Sequence, residues 1–461
     1  MNNYCDGKEK GSIFAIINVK FCLMSQSKLR KILIISYFYP PCSLTASQRP
    51  ANWAHELHKH GYFPIVVTRK WERPIKVYAD EGFGTSSGVE IEQNENYEVI
   101  RTAYKPKLRD KIYIKFGANR FSLIRRLLSA FNLITRNLHP SFSPFYPLLI
   151  EAEKVIALHK PEALIITGNP FNQFYFGYLL NKKFGIPWIA DYRDAWTTSQ
   201  IKGGLPKAFT IFTVMNSYFE KKWCGSAEFV CSVSEPLAKK IATLTNRPYL
   251  VLPNGYADNL FAAVGFPEQF KQFTVTYLGS LYPNQNIELF LESYLIFLKN
   301  NNLSNEDSKL LFPGLALMPD QNKRIVGFSE KLLPYIETTE RLPQLEVLKI
   351  QRQSHLLLYV GWKGYEGVVP SKIFEYCASG TPIIVTPADH SEVDKIVKEA
   401  KVGICTNDVE DTVAAIQQFY EAFKKGKPIK NNAESKEIEA LSASAKGKEL
   451  ASFFDTILTK G

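Results

Sequence analysis

The chain has 461 residues, 45% hydrophobic and 22% charged. That composition excludes a disordered or fibrous protein and allows two or three domains with substantial cores. Seven scattered cysteines, with no C-x-x-C pair, exclude a disulfide framework and a cysteine-based zinc site and indicate a reducing, cytoplasmic setting.

Residues 1–28 hold a short apolar stretch interrupted by Lys20 and no small-residue cleavage pattern, so no signal peptide is expected. The segment reads as a poorly ordered leader, with Met24 an alternative start. No apolar run reaches the roughly 18 residues of a spanning helix. From residue 29 the pattern is strand, helix, strand. "KILIISYFYP" is an apolar strand, "SQRPANWAHELHKHG" a helix closed by Gly61, and "YFPIVVTRKW" the next strand. Residues 72–100 read as a polar insertion. The net charge of +11 is concentrated just beyond it: residues 101–140 carry ten Lys or Arg and one Asp. There Phe121, Ile124, Leu127, Leu128, Phe131, Ile134 and Leu138 recur at helical spacing, with Arg120, Arg125, Arg126 and Arg136 between them. This basic amphipathic helix fits either a core-packed helix with a solvated face or a surface that meets anionic lipid. Nucleic acid is the weaker partner, because the aromatics lie on the apolar face and are not interleaved with the charges.

The alternation resumes with "PEALIITGNP", a helix, "IPWIADYRDAW", "AEFVCSVS", a helix and "PYLVLPNGY". It then restarts with "FTVTYLGSLYP" and continues through "KLLFPGLA", "SHLLLYVGW", "TPIIVTP" and "VGICTN". Two series of this kind predict an α/β fold of two doubly wound, Rossmann-like domains with a boundary near 255–272. A Lys/Asn-rich linker and a helix over 437–458 close the chain. Ligands of open α/β sheets bind beyond the carboxyl ends of the strands, so the loops there should line a cleft between the domains.

Four such loops stand out. "YPPCSLTASQRP" offers Ser43, Thr45, Ser47 and Arg49 toward a phosphate, although it lacks the glycines of a dinucleotide or Walker loop. In "ADYRDAW", Asp191, Arg193 and Asp194 leave an apolar strand together, and alternation puts Asp191 and Arg193 on one face. "YLGSLYPNQN" places Gly279, which allows close backbone approach, before Ser280. "VPSKIFEYCASGTPIIVTP" starts a helix near Ser371, with Lys372 and Glu375 one turn apart. On an exposed helix such a pair is worth only about 0.2–0.5 kcal/mol. At a helix N-terminus facing a cleft, Lys372 and the dipole suit a diphosphate and Glu375 suits hydroxyls.

These stretches, with "VLPNGY", resemble the family-4-type retaining glycosyltransferases of the GT-B fold over roughly residues 30–425. The resemblance implies an acceptor domain over 29–262, a nucleotide-sugar donor domain over 263–430, and a linker with C-terminal helix over 431–461. It places Gly279, Ser280, Ser371, Lys372 and Glu375 at the donor, with Glu375 on the nucleotide ribose, and Asp191, Arg193 and Asp194 at the reacting centre. Three positions depart from the family pattern. Gly367 stands eight before Glu375, where many members have a second glutamate, and Glu366 is one residue out of register. Ser280 and Gln285 or Asn286 replace a basic pair, and Arg193 replaces a histidine. The expected reaction is metal- and cofactor-independent transfer of a sugar from a nucleotide-diphosphate donor to a hydroxyl in cell-surface glycan synthesis. The acceptor would be a glycan or a lipid-linked saccharide, and the enzyme would be cytoplasmic or peripheral on the inner face of the cell membrane. The rival readings are a sugar-nucleotide epimerase and a non-catalytic scaffold that keeps the fold.

Overall fold

A computed structural model describes residues 29–459 apart from 74, 76–77, 118, 199–206, 363, 427–428 and 432–434. The leader over 1–28 lies outside the described residues.

Two sheets carry the chain. The first has the order β3-β4-β2-β1-β5-β6-β7-β8, built from Arg30–Ser36 (β1), Tyr62–Arg69 (β2), Val89–Gln93 (β3), Glu98–Thr102 (β4), Ala163–Gly168 (β5), Trp188–Tyr192 (β6), Phe229–Ser232 (β7) and Tyr249–Val251 (β8). All its pairings are parallel except β3 with β4. The second has the order β11-β10-β9-β12-β13-β14, from Phe273–Thr276 (β9), Ser308–Pro313 (β10), Ile336–Thr339 (β11), Leu356–Tyr359 (β12), Ile383–Val385 (β13) and Gly403–Cys405 (β14). Its pairings are all parallel.

The period of two along each strand divides the cores. Leu33 and Ile35 of β1 join one apolar cluster, and Ile32 and Ile34 join another on the opposite face. In β12, Leu356 and Leu358 face one way, Leu357 and Tyr359 the other. Both sheets are therefore covered on both faces, which is why their strands read as continuous apolar runs.

Two parts of the chain differ from expectation. Residues 72–100 are more than a polar insertion. They contribute β3 at the sheet edge and most of β4, whose residues Glu98–Thr102 are all buried beside β2. The C-terminal helix is broken into Ser435–Ala440 and Ala443–Leu458. The longer piece returns to the first domain, where Leu450, Phe454 and Ile457 pack with Ile32, Ile34, Trp53 and Leu57.

The basic helix forms over Ser122–Leu138, preceded by a shorter helix, Leu108–Phe116. Its apolar side is not packed on a core: Leu123, Leu127, Phe131 and Leu138 are all exposed, Leu127 at 63% and Phe131 at 60%. The core-packed reading of this helix is thereby corrected.

Candidate functional site

The carboxyl ends of β9 and β12 meet the start of the helix Lys372–Ser379. Beyond β9 the chain runs through Tyr277 and Leu278 to Gly279, and the Leu278 carbonyl accepts a hydrogen bond from Lys372 Nζ at 3.0 Å. The Leu278 N–H donates to the Tyr376 hydroxyl at 2.9 Å, so one helix turn holds both polar groups of that residue. The ammonium lies 4.0 Å from the Tyr277 ring centroid and 5.3 Å from that of Tyr359. Burial in this apolar surround pushes the Lys372 pKa down to about 7. Gly279 has φ +87°, and a Cβ there would sit 3.8 Å from Lys372 Cδ, so the exposed backbone of Gly279 and Ser280 lies directly beside the lysine. The Ser371 side chain does not cap the helix, and the positive end of the helix dipole opens at the same place.

Glu375, one turn on, is held by amides. Gln344 Nε2 and Gln351 Nε2 reach its two oxygens at 3.4 and 3.3 Å. Burial raises its pKa, opposed by hydrogen bonds from Gln351, Gln344 and Gln48. Gln48 belongs to the first domain, so Glu375 stands where the two domains meet. Sequence reasoning missed all three glutamines, because Gln344 and Gln351 lie two turns apart on the helix Gln344–Gln353, Gln48 lies on a helix of the first domain, and neither helix is near Glu375 in the chain.

On the first domain the expected residues divide into a buried set and an accessible set. Asp191 is fully buried in an ion pair with Arg49: Nη2 to Oδ1 is 2.7 Å and Nε to Oδ2 is 3.1 Å. Arg49 also donates to Pro253 O and Asn254 Oδ1 and lies 4.7 Å over the Trp53 ring. The expectation that Asp191 and Arg193 share a face in the cleft is corrected. The strand ends at Tyr192, Asp191 turns inward to a partner 142 residues away, and Arg193 bonds its neighbour Asp194 at 3.0 Å. Arg193 keeps 20% of its side chain exposed and Asp194 61%. Arg49 and Ser47 likewise do not offer themselves to a ligand as expected, since the buried Ser47 hydroxyl donates within its own turn to Cys42 O and Leu44 O. Ser43 and Thr45 are exposed.

The loop after β6 is anchored from below. Glu220 accepts from the Thr197 N–H at 3.1 Å and from its hydroxyl, and burial raises the Glu220 pKa to about 7. Trp196 stacks on Phe171 with centroids 5.4 Å apart. Arg193 and Asp194 thus sit on a braced loop.

The domains also touch through Arg341, which bonds Ser43 O, and through Ser234 Oγ, which bonds Gly367 O at 2.7 Å. Gly367, which stands where many members of the resembled family carry a second glutamate, is therefore part of a domain contact. Its N–H donates to Glu392. Gln285 is also committed: its amide donates to Val360 O and accepts from Tyr282 N–H.

The family model described as Glycosyl transferases group 1 matches residues 272–422, from β9 to the helix after β14. The match spans all six strands of the second sheet. It contains Gly279, Ser280, Ser371, Lys372 and Glu375. Solved structures of the same two-domain build cover nearly the whole chain. Sucrose-phosphate synthase from Thermosynechococcus elongatus has a TM-score of 0.60 at 14% identity, covering 94% of this chain and 100% of its own. A glycosyltransferase from Rickettsia africae has a TM-score of 0.57 at 13% identity over 94% and 100% of the two chains. Anabaena HepE in complex with UDP and glucose gives 0.54 at 11% over 93% and 100%. At such identities the likeness is one of fold, and that fold is GT-B. No match to the sequence was found among curated proteins.

Proposed function

We propose that the protein is a retaining glycosyltransferase that moves a sugar from a nucleotide-diphosphate donor to a hydroxyl acceptor. The observation that carries this is Lys372 at an uncapped helix start, with its Nζ on the Leu278 carbonyl beside Gly279. Cleavage of the bond between anomeric carbon and phosphate leaves a diphosphate and an oxocarbenium-like sugar. Lys372, the helix dipole and the exposed backbone at Gly279 and Ser280 stabilise the leaving diphosphate. Glu375, already oriented by Gln344 and Gln351, exchanges their amides for ribose hydroxyls. Arg193 and Asp194 act from the opposite wall on the phosphate or the acceptor. Ser43 and Thr45 belong to the acceptor side. Anabaena HepE, solved in complex with UDP and glucose, carries a ligand pair of this kind on the same fold.

With a lysine and a helix N-terminus to balance the diphosphate, transfer should persist in EDTA. The acceptor is proposed to be lipid-linked, within cell-surface glycan synthesis. The protein would work on the cytoplasmic side of an anionic membrane with the exposed face of Ser122–Leu138 against the lipid. No described helix is long and apolar enough to cross a membrane.

One observation favours the scaffold reading. Ser280 and the committed Gln285 stand where many relatives of the resembled family carry basic residues. A thermal-shift screen of UDP, GDP, ADP and CDP sugars, followed by product analysis with and without acceptor, tests the proposal. Stabilisation by none of them would favour the scaffold, and conversion of the nucleotide sugar itself would favour an epimerase.

A further inference from the structure

Behind the exposed face of the Ser122–Leu138 helix is a cavity of about 550 Å³, walled on its far side by Phe212 and Asn216 of the helix Lys207–Cys224. Arg109, Arg126 and Arg136 converge on it, and none of its lining residues is acidic. Asp110 lies 3.7 Å from Arg109 and already accepts from the Tyr104 hydroxyl and the Lys107 N–H. Arg109 and Arg126 are exposed at the rim. Arg136 lies deeper, its Nε has no hydrogen-bond partner, and burial together with the charge of Arg109 lowers its pKa. An enclosed guanidinium without an acid is destabilising, and three convergent ones repel each other. Their planar forks match phosphate oxygens. The rest of the wall is apolar, with Ala130 and Leu133 beside Phe212, and outside it Leu127, Phe131 and Val214 are exposed.

We propose that this cavity binds the phosphate or diphosphate headgroup of an amphiphile, its oxygens on Arg109, Arg126 and Arg136 and its hydrocarbon along the exposed helix face. The site lies wholly in the first domain, on elements other than those of the donor pocket, and stands whether or not sugar transfer is found.

The test uses the full chain and water-soluble dihexanoyl phosphatidic acid, with inorganic phosphate and pyrophosphate as the free-anion arm, read by calorimetry. Wild type should bind the lipid at least tenfold more tightly than inorganic phosphate. Arg136→Met should weaken lipid binding at least tenfold and Arg136→Lys less. Because Arg136 Nε lacks a partner, Arg136→Met should melt at or above the wild-type temperature and keep its response to UDP, which separates this cavity from the donor site. Unchanged lipid binding in Arg136→Met overturns the assignment. So does a lowered melting temperature, which would make Arg136 a structural residue. Equal affinity for lipid and inorganic phosphate would overturn the amphiphile as occupant.

Discussion

Lys372 is strongly altered by its surroundings, and two opposite pH effects follow. With the folded pKa pushed down to about 7, the folded protein sheds this proton well before an unfolded lysine, which holds it to about 10.4. Between those values the unfolded state binds more protons, so this group makes folding stability rise with pH. Diphosphate binding runs the other way, because the anion favours the charged lysine. Above pH 7 the complex must take up a proton, and affinity should fall by up to about tenfold per pH unit. Titration of UDP in buffers of different ionisation heat should show that uptake at pH 8 and lose it in Lys372→Met; the same proton uptake in both proteins would refute the role. Glu375→Ala should weaken nucleotide binding by about 1–3 kcal/mol through lost hydroxyl contacts, with the fold intact by circular dichroism. Asp191 is a different kind of residue. Removing its carboxylate in Asp191→Ala strands the buried Arg49, which should cost about 3–5 kcal/mol in a urea unfolding experiment. A variant as stable as wild type would show that the pair does not hold the domain.

At the scale of elements, the two exposed features should separate stability from activity. The loop after β6 owes its position to Thr197, Trp196 and Glu220, none of which is Arg193. Arg193→Ala should therefore melt near wild type while sugar transfer drops; normal turnover would take the loop out of the chemistry. On the Ser122–Leu138 helix, Leu127 and Phe131 bury little, so the double variant Leu127→Ser, Phe131→Ser should keep its melting temperature. It should also co-sediment less with anionic vesicles, because apolar insertion is lost while the attraction of about 1 kcal/mol per basic residue remains. Melting well below wild type would mean that this face is packed in solution. How legible each element was follows from its surroundings. Strands such as "LIIT" of β5 and "LLLY" of β12 are buried on both faces and announce themselves as apolar runs. The strand "VEIEQ" is exposed at every position, so nothing in its composition separates it from a loop. In "EVIRT" Arg101 is buried while it pairs with Glu90 and Glu92 of the neighbouring edge strand, a compensation invisible before pairing is known. The closeness of Lys372 and Glu375 was legible because they are one helical turn apart. Asp191 was misplaced because its partner is distant in the chain.

At the scale of the whole molecule, the chain crosses between domains twice, and the two crossings are tied together. After β8 it leaves the first domain through Pro253, Asn254, Gly255 and Tyr256, and it returns before the helix Ala443–Leu458. The Tyr256 N–H donates to Leu441 O at 3.1 Å, and the Ala443 N–H donates to Tyr256 O at 2.8 Å. Asn254 at the same place accepts from Arg49, so the buried ion pair, the outgoing crossing and the returning helix form one connected piece. Gly255 permits this contact: a Cβ there would come within 2.8 Å of Ser442 C and O and Ala443 N, all backbone atoms that cannot swing aside as a flexible side chain would. Gly255→Ala must therefore push the crossings apart, weaken the two backbone hydrogen bonds and loosen the seat of Leu450 and Phe454 on the first sheet. Overpacking of this kind costs about 1–3 kcal/mol. The expected result is a lower melting temperature with cleavage by protease between residues 424 and 443. A Gly255→Ala protein that melts as wild type and resists protease equally would show that the crossings are not held together in solution, and the return helix would then owe its place to its apolar face alone.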